Sequence, residues 1–340
     1  MANIMLTEVC NLRCPYCFAN EFVNGNVNDK HISLENFKKA LDFSFTGENE
    51  RIGIIGGEPT VHPQFKEIME ILIYDERVRD FVVFTNLINA DKYINVLVNP
   101  KARLTVNCNT EANMGSNLYK RMLNNLDTFL NDYYMKDRIT LGINMYKPDF
   151  EYEYIVELLK KYGFSHVRTS IVVPNTDTLR GRNPIEYFKD MKESVFRFFR
   201  ELEKINVMPT YDCNLLPQCL VTPEENEWLK TFWQYEAKSK NYCNLCDDCK
   251  CTPVIDILPN LDAVRCFGMS SAHKVPIERF QNIKELKDYY FNLFDVFAYT
   301  VASNPDCEMC EKRQKMLCTG GCLGFKIDKL NKAREICSKL

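Results

Sequence analysis

The stretch Cys10–Cys17, with the sequence CNLRCPYC, carries more information than any other part of the chain. Its three cysteines, Cys10, Cys14 and Cys17, follow a short apolar segment, Asn3–Thr7, that is predicted to be the first strand. Three thiolates at CxxxCxxC spacing can ligate one [4Fe–4S] cluster, whereas a structural cluster has four such ligands. Three ligands leave one iron open, as catalytic zinc sites also keep an open position. The loop after the first strand is therefore a predicted site where an iron binds a small molecule and passes an electron to it.

The composition indicates a folded protein without a nucleic-acid or membrane partner. The chain has 340 residues, of which 46% are hydrophobic, so it can bury a sizeable core. The net charge is −3 and the pI is about 6.0, whereas nucleic-acid-binding proteins usually carry a basic surface. No apolar run is long enough to span a bilayer, and the N-terminus lacks the features of a signal peptide. We therefore expect a cytoplasmic protein.

The cysteines are numerous and unevenly distributed. Sixteen cysteines in a cytoplasmic chain indicate reduced thiols or metal ligands rather than disulfides. Most of those outside the first motif lie after residue 212, which predicts a second metal-bearing domain. The cysteine pattern alone leaves two alternatives open, a zinc site and a set of buried, inert thiols.

Apolar strand-like segments alternate with helix-like segments through residues 1–207. The predicted strands are Asn3–Thr7, Ile52–Ile55, Phe81–Phe84, Leu104–Asn107, Ile139–Asn144 and Val167–Val173. The predicted helices between and after them are 34–43, 63–74, 119–134, 150–162 and 184–207. This alternation predicts an α/β fold with a parallel sheet and about six βα units, fewer than the eight of a closed barrel.

The thiol motif, the aromatic Tyr16 before its last cysteine, and the run Gly56–Pro59 (GGEP) after the second strand together resemble the radical S-adenosylmethionine (SAM) enzymes. The resemblance implies a partial (β/α)6 barrel over residues 1–207, followed by a cysteine-containing bridge over 208–250. It implies that SAM chelates the open iron and is broken by one electron to methionine and a 5′-deoxyadenosyl radical. Cys10, Cys14 and Cys17 are then catalytic as well as metal-binding residues.

The resemblance also implies which residues hold SAM. Gly56, Gly57 and Glu58 correspond to the motif that receives the SAM ammonium group, and glycines let the backbone approach a ligand closely. The other candidate SAM-binding residues are Tyr16, Asn86, Asn107, Arg121 and Val173. In relatives, a strand-end polar residue and a helical arginine hold the SAM carboxylate, a role that suits the guanidinium fork. A surface position for Arg121 and a core-strand position for Val173 are the alternatives.

The later cysteines resemble the SPASM domain of radical SAM peptide and protein maturases. The spacing is Cys307-x₂-Cys310-x₇-Cys318-x₃-Cys322, followed by Cys337, with two glycines before Cys322. The gap of seven residues between Cys310 and Cys318 is longer than the five usual in the family, and the family's glycine before the cysteine that corresponds to Cys266 is absent. The resemblance implies a SPASM-like domain over 251–340 with two auxiliary [4Fe–4S] clusters, and so three clusters in all.

Each auxiliary cluster has four predicted ligands. Those of the first are Cys246, Cys251, Cys266 and Cys322, and those of the second are Cys307, Cys310, Cys318 and Cys337. Among the upstream thiols Cys246 fits best by spacing, and Cys243 and Cys249 are its rivals. Four thiolates leave no open iron, which suits electron transfer. A zinc-ribbon-like domain is the alternative for this region.

The implied reaction is hydrogen abstraction from a peptide substrate, ending in a C–S or C–C crosslink, an oxidation or an epimerisation. A small metabolite is the alternative substrate, and an Fe–S electron-transfer or zinc-structured binding protein without SAM chemistry is the alternative of another class. An electron donor such as flavodoxin or ferredoxin is implied. Because the motif begins at Cys10, we expect no peptide-binding wing before the barrel. Three alternatives stay open: a short peptide bound without a wing, a peptide delivered by a separate peptide-recognition protein, or a small metabolite. Phe267 stands where sulfatase maturases have an aspartate base, which argues against formylglycine formation.

Overall fold

The computed structural model describes residues 2–17, 30–47, 50–172, 183–211, 216–233, 254–270, 272–326, 329–332 and 335. The chain divides into two compact units. The first comprises Met1–Gly142 with Pro253–Tyr290, and the second comprises Ile143–Thr252 with Phe291–Leu340. The segment 253–290 belongs to the first unit because the strand Asp256–Ile257 pairs with the first strand of the chain, and the domain boundaries at residues 207 and 250 stay predictions.

The described residues contain ten strands. They are β1 (Ala2–Met5), β2 (Arg51–Ile55), β3 (Asp80–Thr85), β4 (Ala102–Asn107), β5 (Ile139–Met145), β6 (His166–Ile171), β7 (Met208–Tyr211), β8 (Asp256–Ile257), β9 (Asp262–Val264) and β10 (Val275–Pro276). The first six coincide with the predicted strands to within a few residues. The last four are short and were not predicted from the sequence.

Helices connect most of these strands. They are α1 (Leu34–Ser44), α2 (Phe65–Tyr74), α3 (Ile94–Leu97), α4 (Glu111–Met114), α5 (Ser116–Asp127), α6 (Glu153–Tyr162), α7 (Pro184–Lys204), α8 (Pro223–Trp233), α9 (Ile283–Tyr290), α10 (Val296–Thr300) and α11 (Glu311–Gln314). Ser33 caps α1 by accepting a hydrogen bond from the Asn36 amide, and Gly163 ends α6 in the left-handed conformation. In the described residues, none of these helices combines the length and the apolar character that crossing a membrane requires.

The first unit contains a largely parallel sheet in the order β10-β9-β8-β1-β2-β3-β4-β5. Each neighbouring pair from β8 to β5 in this order is parallel, whereas β9 pairs antiparallel with both β8 and β10. The predicted α/β fold with a parallel sheet is thus confirmed. The carboxyl ends of the parallel strands lie at one edge, where ligands of such sheets usually bind.

An apolar cluster in the first unit lies beside the thiol-bearing loop. Met5 at the end of β1 and Ile55 at the end of β2 are paired in register and are buried. They pack with Leu258, Val264 and Phe267 from the returning segment. The cluster is therefore assembled from residues distant in sequence.

The second unit contains a parallel strand pair and a long amphipathic helix. His166 of β6 lies opposite Met208 of β7. Two aromatic residues of α7, Tyr187 and Phe188, contact the ring of Phe325 with centroid distances of 5.5 and 5.8 Å. These contacts anchor the segment that follows the C-terminal cysteine motif on the helix.

Candidate functional site

Cys10, Cys14 and Cys17 lie on the loop that follows β1, at the carboxyl edge of the sheet. The Leu12 amide donates to the Cys10 sulfur at 3.4 Å, and the Cys17 amide donates to the Cys14 carbonyl at 3.1 Å. Cys10 and Cys17 pack against the apolar cluster around Met5. The loop is thus folded on an apolar support with its three thiols only partly exposed.

The electrostatic environment of these thiols favours their protonated form. The pKa of Cys10 is raised to about 12, chiefly by burial; the hydrogen bond from Leu12 lowers it, and the charges of Glu58, Cys14 and Cys17 raise it. Burial, followed by the charge of Cys17, raises the pKa of Cys14 to about 11. Metal ligation by these side chains therefore releases protons, because the thiolate is the ligand.

The three thiols of this loop form one donor set for an iron–sulfur group. Within the part of the chain that the structure describes, no group of three or more cysteine, histidine, aspartate or glutamate side chains could hold a metal ion as it stands. An iron–sulfur group here would be held by Cys10, Cys14 and Cys17 as thiolates. Their chemistry fits the group, since three soft thiols share one loop and raise one another's pKa values.

The predicted glycine pair brings the end of β2 against the thiol loop. The Gly57 amide donates to the Thr7 carbonyl at 2.7 Å, and the Glu58 amide donates to the Val9 carbonyl at 2.9 Å. A Cβ atom on Gly56 would lie 2.9 Å from the carbonyl oxygen of Thr7. At Gly56 and at Gly57 the atom nearest to an added Cβ is a backbone oxygen, so a side chain at either position would displace the loop.

Glu58 is buried, and its carboxylate is already fully engaged. One oxygen accepts hydrogen bonds from the Thr60 amide, the Thr60 hydroxyl and the Thr85 hydroxyl at 3.2, 2.6 and 2.7 Å. The other accepts from the Asn86 amide at 2.7 Å. Burial raises the pKa of Glu58, and these hydrogen bonds act in the opposite direction. The side chain thus ties the ends of β2 and β3 together, and its predicted contact with SAM stays a prediction.

Asn86 links the end of β3 to the thiol loop. Its side-chain amide donates to Asn11 Oδ1 at 2.7 Å, and its Oδ1 accepts from the Ile88 amide at 3.1 Å. Asn11 was not among the predicted site residues, although it stands between Cys10 and Cys14. Its position between two predicted ligands was the only feature of the sequence that could have indicated a role for Asn11 in the site.

Tyr16 links the same loop to the end of β4. Its hydroxyl donates a short hydrogen bond to Oδ1 of Asn109, which is buried. Tyr16 and Asn109 both act to lower the pKa of Cys14, against the stronger effect of burial. The structure therefore gathers the ends of β1 to β4 around the three thiols.

Asn107 and Arg121 are two predicted SAM-binding residues outside the thiol loop. Asn107 is the last residue of β4 and is half-buried opposite Gly142. Arg121 on α5 forms an ion pair with Asp91, whose carboxylate oxygens lie 3.0 and 3.1 Å from Nη2. A ligand carboxylate would have to compete with Asp91 for this guanidinium. Val173 lies outside the described residues.

The second unit contains another group of thiols. The Cys310 amide donates to the Cys307 carbonyl at 3.3 Å, and the Gly320 amide donates to the Cys318 sulfur at 3.3 Å. A Cβ atom on Gly320 would lie 3.9 Å from the Cys307 sulfur, so Cys307 and Cys318 flank this glycine. Burial raises the pKa of Cys307, and the charges of Cys318 and Cys310 add to it.

Cys219 belongs to the same neighbourhood and was not among the predicted ligands. Burial raises its pKa first, followed by the charges of Cys318, Cys307 and Cys310. Cys219 lies far from these thiols in the sequence, so the spacing of the cysteines did not indicate that they are close in the fold.

The remaining predicted auxiliary ligands are only partly described. The buried Cys322 accepts from the Gly324 amide at 3.3 Å in the second unit. Cys266 lies in the first unit, with Nη1 of Arg265 3.7 Å from its sulfur. Cys246, Cys251 and Cys337, with the rivals Cys243 and Cys249, lie outside the described residues, so the two four-ligand sets stay predictions.

The chain is similar to characterised proteins over different lengths. It is 34% identical over 84 residues to a GTP 3′,8-cyclase of Haemophilus ducreyi, a match that covers 24% of each chain. The matched stretch thus spans about a quarter of the length of such curated relatives.

The solved structures share the fold over most of the chain. Streptococcus suis SuiB bound to its precursor peptide SuiA superimposes with a TM-score of 0.60 at 16% identity, covering 96% of this chain and 72% of SuiB. Native anSMEcpe with bound AdoMet and the Cp18Cys peptide gives a TM-score of 0.61 at 15% identity, covering 94% of this chain and 88% of anSMEcpe. At this identity the likeness concerns the fold alone. The Radical SAM superfamily profile matches residues 4–129, the stretch that carries the three thiols, the glycine pair and the polar side chains at the strand ends.

Proposed function

We propose that this protein is a radical SAM enzyme that cleaves SAM reductively and abstracts a hydrogen atom from a peptide. The observation that carries the proposal is the loop of Cys10, Cys14 and Cys17, held at the carboxyl edge of the sheet by backbone contacts with Gly56 and Gly57. An iron–sulfur cluster with one open iron would supply the electron that breaks SAM into methionine and a 5′-deoxyadenosyl radical. The match over residues 4–129 supports the same chemistry.

The residues around the thiols have separate tasks in this proposal. Cys10, Cys14 and Cys17 supply three ligands to the cluster. Glu58 fixes the strand ends that face the SAM amino acid portion, since both of its oxygens accept hydrogen bonds from β3 or from Thr60. The apolar cluster behind the loop excludes water, which strengthens electrostatic interactions and protects a radical.

A peptide is the substrate that the comparisons favour. SuiB and anSMEcpe, which share the fold over more than nine-tenths of this chain, have each been solved with a bound peptide. Cys307, Cys310 and Cys318 of the second unit would hold an auxiliary cluster that accepts the surplus electron of the substrate radical. A crosslink or another net oxidation follows from that transfer, with flavodoxin or ferredoxin as donor for the first cluster.

A nucleotide is the second candidate substrate, because the chain is similar over about a quarter of its length to GTP 3′,8-cyclases. That match spans 84 residues, which is 24% of each chain, so it supports GTP as the substrate only weakly.

SAM cleavage is tested with anaerobically reconstituted protein, SAM and dithionite. We expect 5′-deoxyadenosine and about twelve irons per chain, from three four-iron clusters. The matched variants Cys14→Ala and Cys108→Ala separate a loop thiol from a buried thiol outside the loop. The first should lose about a third of the iron and all deoxyadenosine formation, and the second should lose neither. An unchanged product yield in Cys14→Ala would contradict the proposal.

The substrate is tested by adding short cysteine-rich or threonine-rich peptides, or GTP, to the same reaction. The true class raises deoxyadenosine formation above the rate without substrate, and deuterium placed in that substrate appears in deoxyadenosine. Transfer of deuterium from GTP but not from any peptide would reject the peptide assignment and leave SAM cleavage intact.

A further inference from the structure

Lys326 is a buried lysine in the second unit. Its side chain is 1% exposed, although lysine is rarely buried unless it is paired. The ammonium nitrogen donates to the carbonyl oxygens of Ala298, Val301 and Thr319 at 2.7, 2.8 and 2.7 Å. Its three N–H groups are thus satisfied by neutral acceptors. Among the described residues, no carboxylate forms an ion pair with this side chain.

The negative groups that act on Lys326 are thiols of the C-terminal motif. Its pKa is lowered to about 8 by burial, whereas the charges of Cys307 and Cys318 raise it, and the nearby cations Arg313 and Lys329 lower it. Thr319, which supplies one of the carbonyl acceptors, directly follows Cys318. The ammonium group is therefore fixed beside the two thiols that flank Gly320.

A buried polar group without a partner among the described residues lies at the start of the same motif. The side chain of Asn304 is 4% exposed, and neither its nitrogen nor its oxygen has a hydrogen-bond partner in the described structure. Its backbone carbonyl accepts from the Cys307 amide at 3.1 Å. Buried polar groups in native proteins nearly always have partners, so this amide indicates a polar group that is bound beside Cys307.

We propose that Lys326 is a positioning residue that holds a fixed positive charge beside an iron–sulfur cluster ligated by Cys307, Cys310 and Cys318, and thereby favours the reduced state of that cluster. The inference rests on the proposed function, which supplies the cluster and its electron. One electron enters from a carbon radical of the substrate, which is oxidised to the cation level and then loses a proton. A buried cation stabilises the added negative charge, because the local dielectric constant is low.

Lys329 provides a matched control. It lies three residues later and donates to the carbonyls of Ala302 and Ser303 at 2.8 and 3.2 Å, but it is exposed. Removing its charge changes the net charge of the same segment by the same amount. Solvent and salt screen an exposed charge, so its effect on the cluster should be small.

The test is an anaerobic potentiometric titration of the full-length, reconstituted protein, followed by electron paramagnetic resonance. The signal of this cluster is the one that disappears in Cys307→Ala. In Lys326→Gln and Lys326→Met we expect the equilibrium constant for reduction to fall at least about tenfold, which is about 59 mV for one electron. Lys326→Arg and Lys329→Met should change it less than about threefold.

The outcomes separate the two proposals. If Cys307→Ala removes neither iron nor a signal, the auxiliary cluster is absent and that part of the proposed function fails. If the cluster is present and the neutral Lys326 variants keep the wild-type potential, the inference about Lys326 is overturned and the cluster stands. If the neutral variants lose the cluster, the iron content of Lys326→Arg is measured next. Iron retained in Lys326→Arg supports the requirement for a positive charge at this position, and iron lost from it overturns the inference.

Discussion

The Gly57 amide donates a hydrogen bond to the carbonyl oxygen of Thr7 at 2.7 Å, which holds the end of β2 against the start of the thiol loop. A Cβ atom at position 57 would lie 2.4 Å from the carbonyl oxygen of Val9 and 3.0 Å from the Cβ atom of Cys10. Backbone atoms cannot give way as the end of a flexible side chain can. Glycine is therefore required here by the packing of two strand ends.

Gly57→Ala should displace the thiol loop. We expect a loss of about 1–3 kcal/mol in the free energy of unfolding, from overpacking, and a larger proportional loss of iron from the first cluster. Iron analysis and deoxyadenosine formation measure the second effect. The control is Gly115→Ala, where a Cβ atom meets nothing within 4 Å but φ is +80°. That variant should lose stability through backbone strain and keep its iron, and equal iron loss in both would contradict a local role for Gly57.

The sequence predicted the thiol loop and the first six strands because both depend on local patterns. Apolar runs such as Ile52–Ile55 and Phe81–Phe84 are long enough to be recognised as buried parallel strands. Strands β8 and β10 have only two residues each, so no periodicity can identify them. The strand β8 is formed by pairing with β1, a contact between residues far apart in the chain, and β10 is formed by pairing with β9.

The same limit applied to the candidate site. The spacing of the thiols identified the loop. The polar residues of the loop, however, form hydrogen bonds with residues that follow other strands. The pairings of Tyr16 with Asn109 and of Asn11 with Asn86 join separate strand ends. Single polar residues of these types are common in loops, so their meaning depends on the fold that brings them together.

Phe267 should stabilise the thiol loop, although it lies about 250 residues later in the sequence. It is 7% exposed and packs with Met5 and Ile55 in the cluster that supports Cys10 and Cys17. Phe267→Ala should cost about 3–5 kcal/mol of unfolding free energy and speed the release of iron from the first cluster to a chelator. The control Phe129→Ala removes another buried phenylalanine of the first unit that is not part of this cluster. Comparable iron release from both variants would show that global stability, not the support of the loop, controls retention.

Cys108 should be chemically inert in the folded protein. It is 1% exposed, and burial raises its pKa to about 12, so the reactive thiolate is scarce at neutral pH. Iodoacetamide applied to the native protein should leave Cys108 unmodified, as read by mass spectrometry of peptides. The exposed Cys219 is the internal comparison in iron-free protein. Alkylation of Cys108 at the rate of Cys219 would contradict its burial.

His62 should make the stability of the first unit depend on pH. Its side chain is buried, Nδ1 accepts from the Gln64 amide at 3.0 Å, and Nε2 lies 2.8 Å from the Ile32 carbonyl, which requires a neutral ring. Burial lowers the pKa of His62, and the charge of His31 adds to this, against the Ile32 hydrogen bond and Glu67. The folded state therefore binds its proton at lower pH than the unfolded state does.

Stability from His62 is then full above the unfolded pKa, near pH 6.5, and is lost as the pH falls towards the folded value. The slope of this loss is at most about 1.4 kcal/mol per pH unit. In His62→Asn, the Asn oxygen can still accept from the Gln64 amide, so we expect lower stability at pH 7.5 but a smaller fall between pH 7.5 and 5.5. Urea unfolding at pH 7.5 and at pH 5.5 measures the free energy of unfolding of each variant, with His166→Asn as the control. A parallel fall in wild type and His62→Asn would exclude His62 as the source.

Arg121 tests whether a surface ion pair conceals a ligand-binding side chain. Arg121 and Asp91 are 38% and 43% exposed, so their pair should contribute no more than about 1 kcal/mol to stability. If Arg121 exchanges Asp91 for the SAM carboxylate, Arg121→Gln should weaken SAM binding by about tenfold or more, because a charge-assisted hydrogen bond is lost. Asp91→Asn removes the competitor and should leave binding unchanged or tighter. Calorimetric titration of reconstituted protein with SAM, without reductant, measures binding apart from cleavage. Wild-type affinity in Arg121→Gln would identify Arg121 as a surface residue, and equal weakening in both variants would assign the effect to their ion pair instead.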